Sequence, residues 1–235
     1  PMKRRASSGL HSTLTVNFIG GLRFENARVA RWLRRAYNPR WRARTPKETG
    51  MSEWVEVQGP DGAFRAYVAR PAGAQPKAAV VVIQEIFGVN AVVRGKADWL
   101  AREGYLAIAP DLFWRLEPGV DITDQSEAEW AKAMDLMKRY TALGVGTKDI
   151  EATIAHARSM NVEKVGAVGY CLGGLLAFLT ATRTDCDASV SYYGVNIPNF
   201  LGEAANIKKP LLMHIAGKDR FVPPPAQAEI KQALG

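Results

Sequence analysis

The sequence predicts an α/β fold, a mostly parallel, doubly wound sheet with helices on both faces. Three observations predict it. Ala78-Ala79-Val80-Val81-Val82-Ile83 is a continuous apolar run of strand length, as expected for a strand covered on both faces. From there to Ala216, strand patterns and helix patterns alternate, which implies right-handed crossovers between parallel strands. Finally, Val165-Gly166-Ala167-Val168 leads through Gly169-Tyr170-Cys171-Leu172-Gly173-Gly174 into the apolar helix Leu175 to Thr180, giving a strand, a sharp turn and a helix.

The elements follow in chain order. Glu53 to Val57 and Phe64 to Ala69 alternate in polarity around Gly59-Pro60-Asp61-Gly62, the pattern of an antiparallel hairpin at a sheet edge. After the loop Pro71 to Pro76 comes the Ala78 to Ile83 strand, then a helix containing Trp99 and Leu100 that stops at Gly104, then the strand Tyr105 to Ala109, closed by Pro110-Asp111. Ser126-Glu127-Ala128-Glu129 reads as a reciprocal capping box opening a helix to about Leu143, with Trp130, Met134 and Met137 on one face as core or pocket lining. Gly144-Val145-Gly146 breaks the chain, and a helix with Ile150, Ile154 and Ala157 on one side follows, His156 lying beside that face as a surface residue. The strand before Cys171 and its helix come next, then the strands Ala188 to Tyr193 and Pro210 to Ala216, and a helix Ala226 to Leu234. A sheet of this order calls for one more strand and helix, which would follow Gly235.

At 235 residues the chain suits one domain with a substantial core. No window approaches eighteen consecutive apolar residues, so no membrane-spanning helix is expected, and the basic, polar start lacks the apolar centre of a signal peptide. The reading is a cytosolic monomer. The net charge of +8 is unevenly placed: residues 1–50 carry 12 Lys/Arg against 2 Asp/Glu, leaving 19 against 21 for the remainder. Residues 51–235 are therefore a mildly acidic body without the basic stripe that tracks nucleic acid. The leader, densest at Arg31-Trp32-Leu33-Arg34-Arg35 and Arg40-Trp41-Arg42-Ala43-Arg44, is open to three readings. It suits a targeting or membrane-surface segment, a nucleic-acid arm in which Trp32 and Trp41 stack on bases, or a stretch that is not native to the protein. Met51-Ser52, a natural start just before the first strand, favours the third, so residues 1–50 are taken as a disordered or non-native leader and residues 51–235 as the domain. Cys171 and Cys186 would sit at opposite ends of one helix, roughly 15 Å apart, too far for a disulfide. Two free thiols fit a reducing compartment.

In a doubly wound sheet the ligand site lies outside the carboxyl ends of the strands. Three candidates emerge there: Glu85 after the Val80 to Ile83 strand, Cys171 in the turn, and Asp219 after the Leu211 to Ala216 strand. Nucleophile before acid is the chain order of α/β-hydrolases, and the backbone N–H groups of Leu172 and Ile86 would form an oxyanion hole.

The segments Gln84-Glu85-Ile86-Phe87-Gly88-Val89-Asn90, Gly169-Tyr170-Cys171-Leu172-Gly173-Gly174, Tyr192-Tyr193-Gly194-Val195 and Gly217-Lys218-Asp219-Arg220-Phe221-Val222-Pro223 together resemble the dienelactone hydrolase family, the carboxymethylenebutenolidases. The resemblance spans residues 52–235. It implies an α/β-hydrolase fold, hydrolysis of a cyclic enol ester or related small ester through a Cys-His-Asp triad, and no metal or organic cofactor. It implies that Cys171 attacks the carbonyl and forms an acyl-enzyme, that Asp219 orients the histidine, and that Glu85 helps make the thiolate when substrate arrives. Phe87, Trp130 and Tyr192 are the substrate-binding candidates. Two departures stand out. The family histidine would lie beyond the Asp219 loop, past Gly235, and His214 sits within a strand about 16 Å from Asp219 along an extended chain, so it does not replace it. Trp130 also stands where a well-known member has an arginine that holds the substrate carboxylate. The alternative function is an inactive or ligand-binding form of the same fold without its base.

Overall fold

The structure is a computed structural model that describes residues 15–19, 49–73, 75–76 and 78–235. Among the described residues eight strands form one sheet. They are β1 (Thr15–Ile19), β2 (Thr49–Gly59), β3 (Gly62–Pro71), β4 (Ala78–Ile83), β5 (Leu106–Pro110), β6 (Lys164–Tyr170), β7 (Ala188–Tyr192) and β8 (Leu211–Ile215), in the order β1-β8-β7-β6-β4-β5-β3-β2. The five strands from β8 to β5 run parallel; the β2–β3 hairpin adds antiparallel at one edge and β1 at the other. The edge where the sequence calls for a further strand is thus paired to Thr15–Ile19 of the leader, in register with Leu211 to Ile215. Apart from residues 15–19 and 49–50, the leader lies outside the described residues, and with it Trp32 and Trp41.

The strands alternate between two cores, as the period of two demands. Val80, Val82, Ala107, Ala109, Val168 and Val190 face α1 (Ala91–Arg102), which covers them with Val93, Ala97, Leu100 and Ala101. Val81, Ile83, Ile108, Val165 and Ala167 face α2 (Glu127–Leu143), α3 (Gly146–Ser159) and α4 (Leu172–Arg183). A helix α5 (Pro224–Leu234) and a 3₁₀ segment, Ile197–Asn206, complete the chain; the latter is not foreshadowed by the sequence pattern. The hairpin closes as expected, with Gly59 paired to Gly62.

One local expectation is corrected and two are refined. The box at the start of α2 is only half formed: Ser126 Oγ accepts from the Glu129 amide at 3.2 Å, but the Glu129 carboxylate turns to the amide and hydroxyl of Thr123. The buried face of α2 is Ala133, Leu136 and Tyr140, whereas Trp130, Met134 and Met137 form a half-buried flank beside it. His156 is likewise half-buried rather than a surface residue, and burial followed by the charge of Arg70 holds its imidazole below the usual pKa. Cys171 and Cys186 are free, with Cys186 buried and its thiol directed to the carbonyl of Val165.

One buried ion pair locks the loop after β5 to α3. Asp149 is fully buried and accepts from Trp114 Nε1 at 3.2 Å and from both terminal nitrogens of Arg115, whose guanidinium also reaches Asp61 in the hairpin turn. Asp149→Ala leaves that guanidinium without its buried partner and is expected to cost about 3–5 kcal/mol in urea unfolding. A loss under about 1 kcal/mol, the range of an exposed pair, contradicts this account of the network.

Candidate active site

The sequence makes the turn at Cys171 by removing side chains from both flanks. Cys171 has φ 55° and ψ −113°, a strained conformation for a residue with a Cβ, costing about 1–3 kcal/mol. Its N–H donates to the Tyr192 carbonyl at 3.0 Å, and its own carbonyl accepts from Gly174 at 2.9 Å and Leu175 at 3.1 Å to begin α4. A Cβ on Gly169 would lie 1.8 Å from the Gly173 carbonyl oxygen, and one on Gly173 would lie 2.6 Å from the carbonyl oxygens of Ile83 and Gln84. The glycines two before and two after Cys171 therefore let β6, α4 and the end of β4 close on one another. Gly169→Ala forces backbone apart at the site and is expected to destabilise by about 1–3 kcal/mol with loss of any activity. An unchanged unfolding midpoint would refute the close approach.

Glu85, Cys171 and Asp219 stand after β4, β6 and β8, at one end of the sheet. Burial, aided by the nearby carboxylates of Glu85 and Asp219, pushes the Cys171 thiol up to about 11, against the opposing hydrogen bond from the Leu172 N–H to the sulfur. The resting group is therefore a neutral thiol near pH 7. Glu85, half-buried, receives the hydroxyl of Tyr193 and pairs with Lys96 Nζ at 3.5 Å. Asp219 accepts the Phe221 amide at 2.8 Å within its own loop. Ile86 and Leu172, the two expected oxyanion donors, are both buried, the first on the loop after β4 and the second as the first residue of α4.

The aromatic candidates separate. The rings of Phe87 and Trp130 meet at 5.7 Å, one beside Ile86 and the other on α2, and both are half-buried. Tyr192 lies instead in a buried row, stacked on Tyr170 at 4.9 Å and on His214 at 4.2 Å. Its neighbour Tyr193, with φ 40°, is the tyrosine that reaches Glu85. Tyr193 and Lys96 are the site residues that the sequence did not single out. His214 sits inside β8 in that row, where burial pushes its imidazole down to about 4, and His156 belongs to α3. Among the described residues, no group of three His, Cys, Asp or Glu side chains could hold a metal ion, and no helix is long and apolar enough to cross a membrane.

The arrangement can carry acyl transfer: a thiol on a strained turn, a carboxylate close enough to influence its proton, and backbone donors beside it. Sequence similarity points the same way. The profile of the dienelactone hydrolase family matches residues 64–235. A relative from Azospirillum brasilense is 50% identical over 182 residues, covering 75% of this chain and 76% of its own. The carboxymethylenebutenolidase of Pseudomonas putida is 41% identical over 188 residues, 79% of each chain. Among solved structures, the dienelactone hydrolase of Anabaena variabilis superposes with a TM-score of 0.57 at 21% identity, over 78% of this chain and 80% of that one, which speaks to the fold.

Proposed function

The chain belongs to the dienelactone hydrolase family, a family of carboxylic ester hydrolases, and we propose that it opens a small cyclic enol ester, or a related ester, through a covalent intermediate on Cys171. The observation that carries this reading is the strained Cys171 with the Leu172 amide on its sulfur and the Glu85 carboxylate near enough to raise its thiol. When substrate displaces water from the site, Glu85 takes the thiol proton. The thiolate attacks the acyl carbon, and the oxyanion forms against the N–H groups of Leu172 and Ile86, where each well-placed donor contributes about 3 kcal/mol to the transition state. The acyl–oxygen bond breaks to leave a thioester on Cys171, which water then hydrolyses.

An enol ester suits this site because its leaving group departs as a delocalised enolate and needs less help from a proton donor than an alkoxide does. Asp219 in the proposal orients the histidine that the family places after it; His214, enclosed in β8, does not take that part. Phe87 and Trp130 form an apolar wall for the substrate. The relatives' identity to this chain favours hydrolysis over a binding role for the same fold. The test compares a five-membered enol lactone with an open-chain alkyl ester of the same acyl group. The reading expects the lactone to be opened with the higher kcat/KM, and hydrolysis of the alkyl ester alone would overturn it.

A further inference from the structure

Lys96 is placed where a surface lysine of an amphipathic helix has no reason to be. It lies on α1 next to the buried positions Val93, Ala97 and Leu100, and its side chain is only 24% exposed. From there it crosses the face of Tyr170, its ammonium 3.4 Å from the ring centroid, and ends 3.5 Å from Glu85 Oε2. The ring it crosses belongs to the residue preceding Cys171. Burying an ammonium has a cost, visible as a lysine pKa lowered chiefly by desolvation and restored in part by Glu85. A lysine kept here against that cost has a fixed direction: the aromatic face guides the stem and the carboxylate receives the charge.

We propose that Lys96 is a positioning residue of the reaction, holding the Glu85 carboxylate beside Cys171. The inference rests on the reading of Cys171 as nucleophile and Glu85 as its proton acceptor. Glu85 is gripped from two sides, by Lys96 from α1 and by the Tyr193 hydroxyl from the end of β7. The other ionisable groups around it are Cys171 and Tyr170, both neutral at rest, and beyond them Asp219 and Tyr192. The charges of Glu85 and Asp219 raise the Cys171 thiol, and Lys96, paired with Glu85, acts on that thiol through where it keeps the carboxylate. Without the ammonium, a half-buried carboxylate loses its counter-ion and turns toward water. The thiol then loses a neighbouring negative charge and ionises more easily, while the reaction loses its acceptor.

That combination is distinctive, and it can be read without turnover. The pH dependence of Cys171 alkylation by iodoacetamide, followed by peptide mass spectrometry, is measured for the wild type, Lys96→Met, Lys96→Arg, Glu85→Gln and the Lys96→Met/Glu85→Gln pair. Lys96→Met is expected to move the inflection down by about one pH unit, a roughly tenfold faster alkylation at a fixed pH below it, while kcat/KM for the ester falls about tenfold or more. Lys96→Arg should restore both within a factor of about three, and adding Lys96→Met to Glu85→Gln should change neither, since residues acting together are not additive. A Lys96→Met profile that superimposes on the wild type overturns the proposal. So does an effect that persists in the Glu85→Gln background, or one accompanied by equally faster alkylation of buried Cys186, which reports general loosening. If Cys171→Ala retains full hydrolysis, the nucleophile assignment fails; the thiol profiles judge the Lys96–Glu85 coupling independently of it.

Discussion

Cys171→Ala is expected to lower kcat/KM for ester hydrolysis by at least about 10³-fold, the scale on which removal of an attacking group acts when only oxyanion donors and binding remain. The substitution removes one sulfur atom from a half-buried site and leaves the flanking glycines untouched, so the free energy of unfolding in urea should change by no more than about 1 kcal/mol. The two readouts together separate chemistry from folding. A variant that is folded and inactive fits the covalent reading, whereas one that is folded and fully active removes it.

Glu85→Gln is expected to move two measurements in opposite directions. The Glu85 charge is one of the causes that hold the Cys171 thiol up at about 11, after burial itself. A thiol titrates from neutral to anionic, so a pKa raised above its ordinary value means less thiolate at any pH below it. Removing a neighbouring negative charge restores part of that thiolate. Alkylation of Cys171 at pH 9 should therefore accelerate by about tenfold, as its inflection moves down by about one pH unit, with burial keeping that inflection above the ordinary thiol value. Turnover should fall about 10²-fold or more, because the group that accepts the proton during attack is gone. Slower alkylation in Glu85→Gln contradicts the electrostatic account; unchanged turnover contradicts the role of Glu85 in the reaction.

The parts of this protein that were legible in its sequence are those governed by short periods. The apolar run Ala78 to Ile83, the hairpin turn at Gly59 to Gly62 and the glycines around Cys171 each encode a local geometry that the structure contains. They also order the sheet so that Glu85, Cys171 and Asp219 emerge at the same end. Where two choices differ only by tertiary context, the sequence was mute. Tyr192 and Tyr193 are adjacent and chemically identical, and only the pairing of β7 with β6 and β8 sends one into the stacked row and the other, through a positive φ, to Glu85. On α2 the stripe Trp130, Met134 and Met137 and the stripe Ala133, Leu136 and Tyr140 are both apolar at helical spacing; which of them is buried depends on where α3 and the loop after β5 pack. Lys96 lay hidden for a related reason. In Arg94-Gly95-Lys96 it reads as part of a solvated face, and its partner is eleven positions away across a loop. The segment Ile197–Asn206 was missed because Pro198 and Gly202 break the helical pattern that would have betrayed it.

The central claim, that the reaction runs through a covalent bond to Cys171, is tested most directly by mixing the protein with p-nitrophenyl acetate, quenching in acid and locating the adduct by peptide mass spectrometry. The account predicts an acetyl group on Cys171 that forms as p-nitrophenolate is released and decays as acetate appears. Hydrolysis that proceeds with Cys171 unmodified at every quench time, or with the acetyl group settled on another side chain, would contradict it.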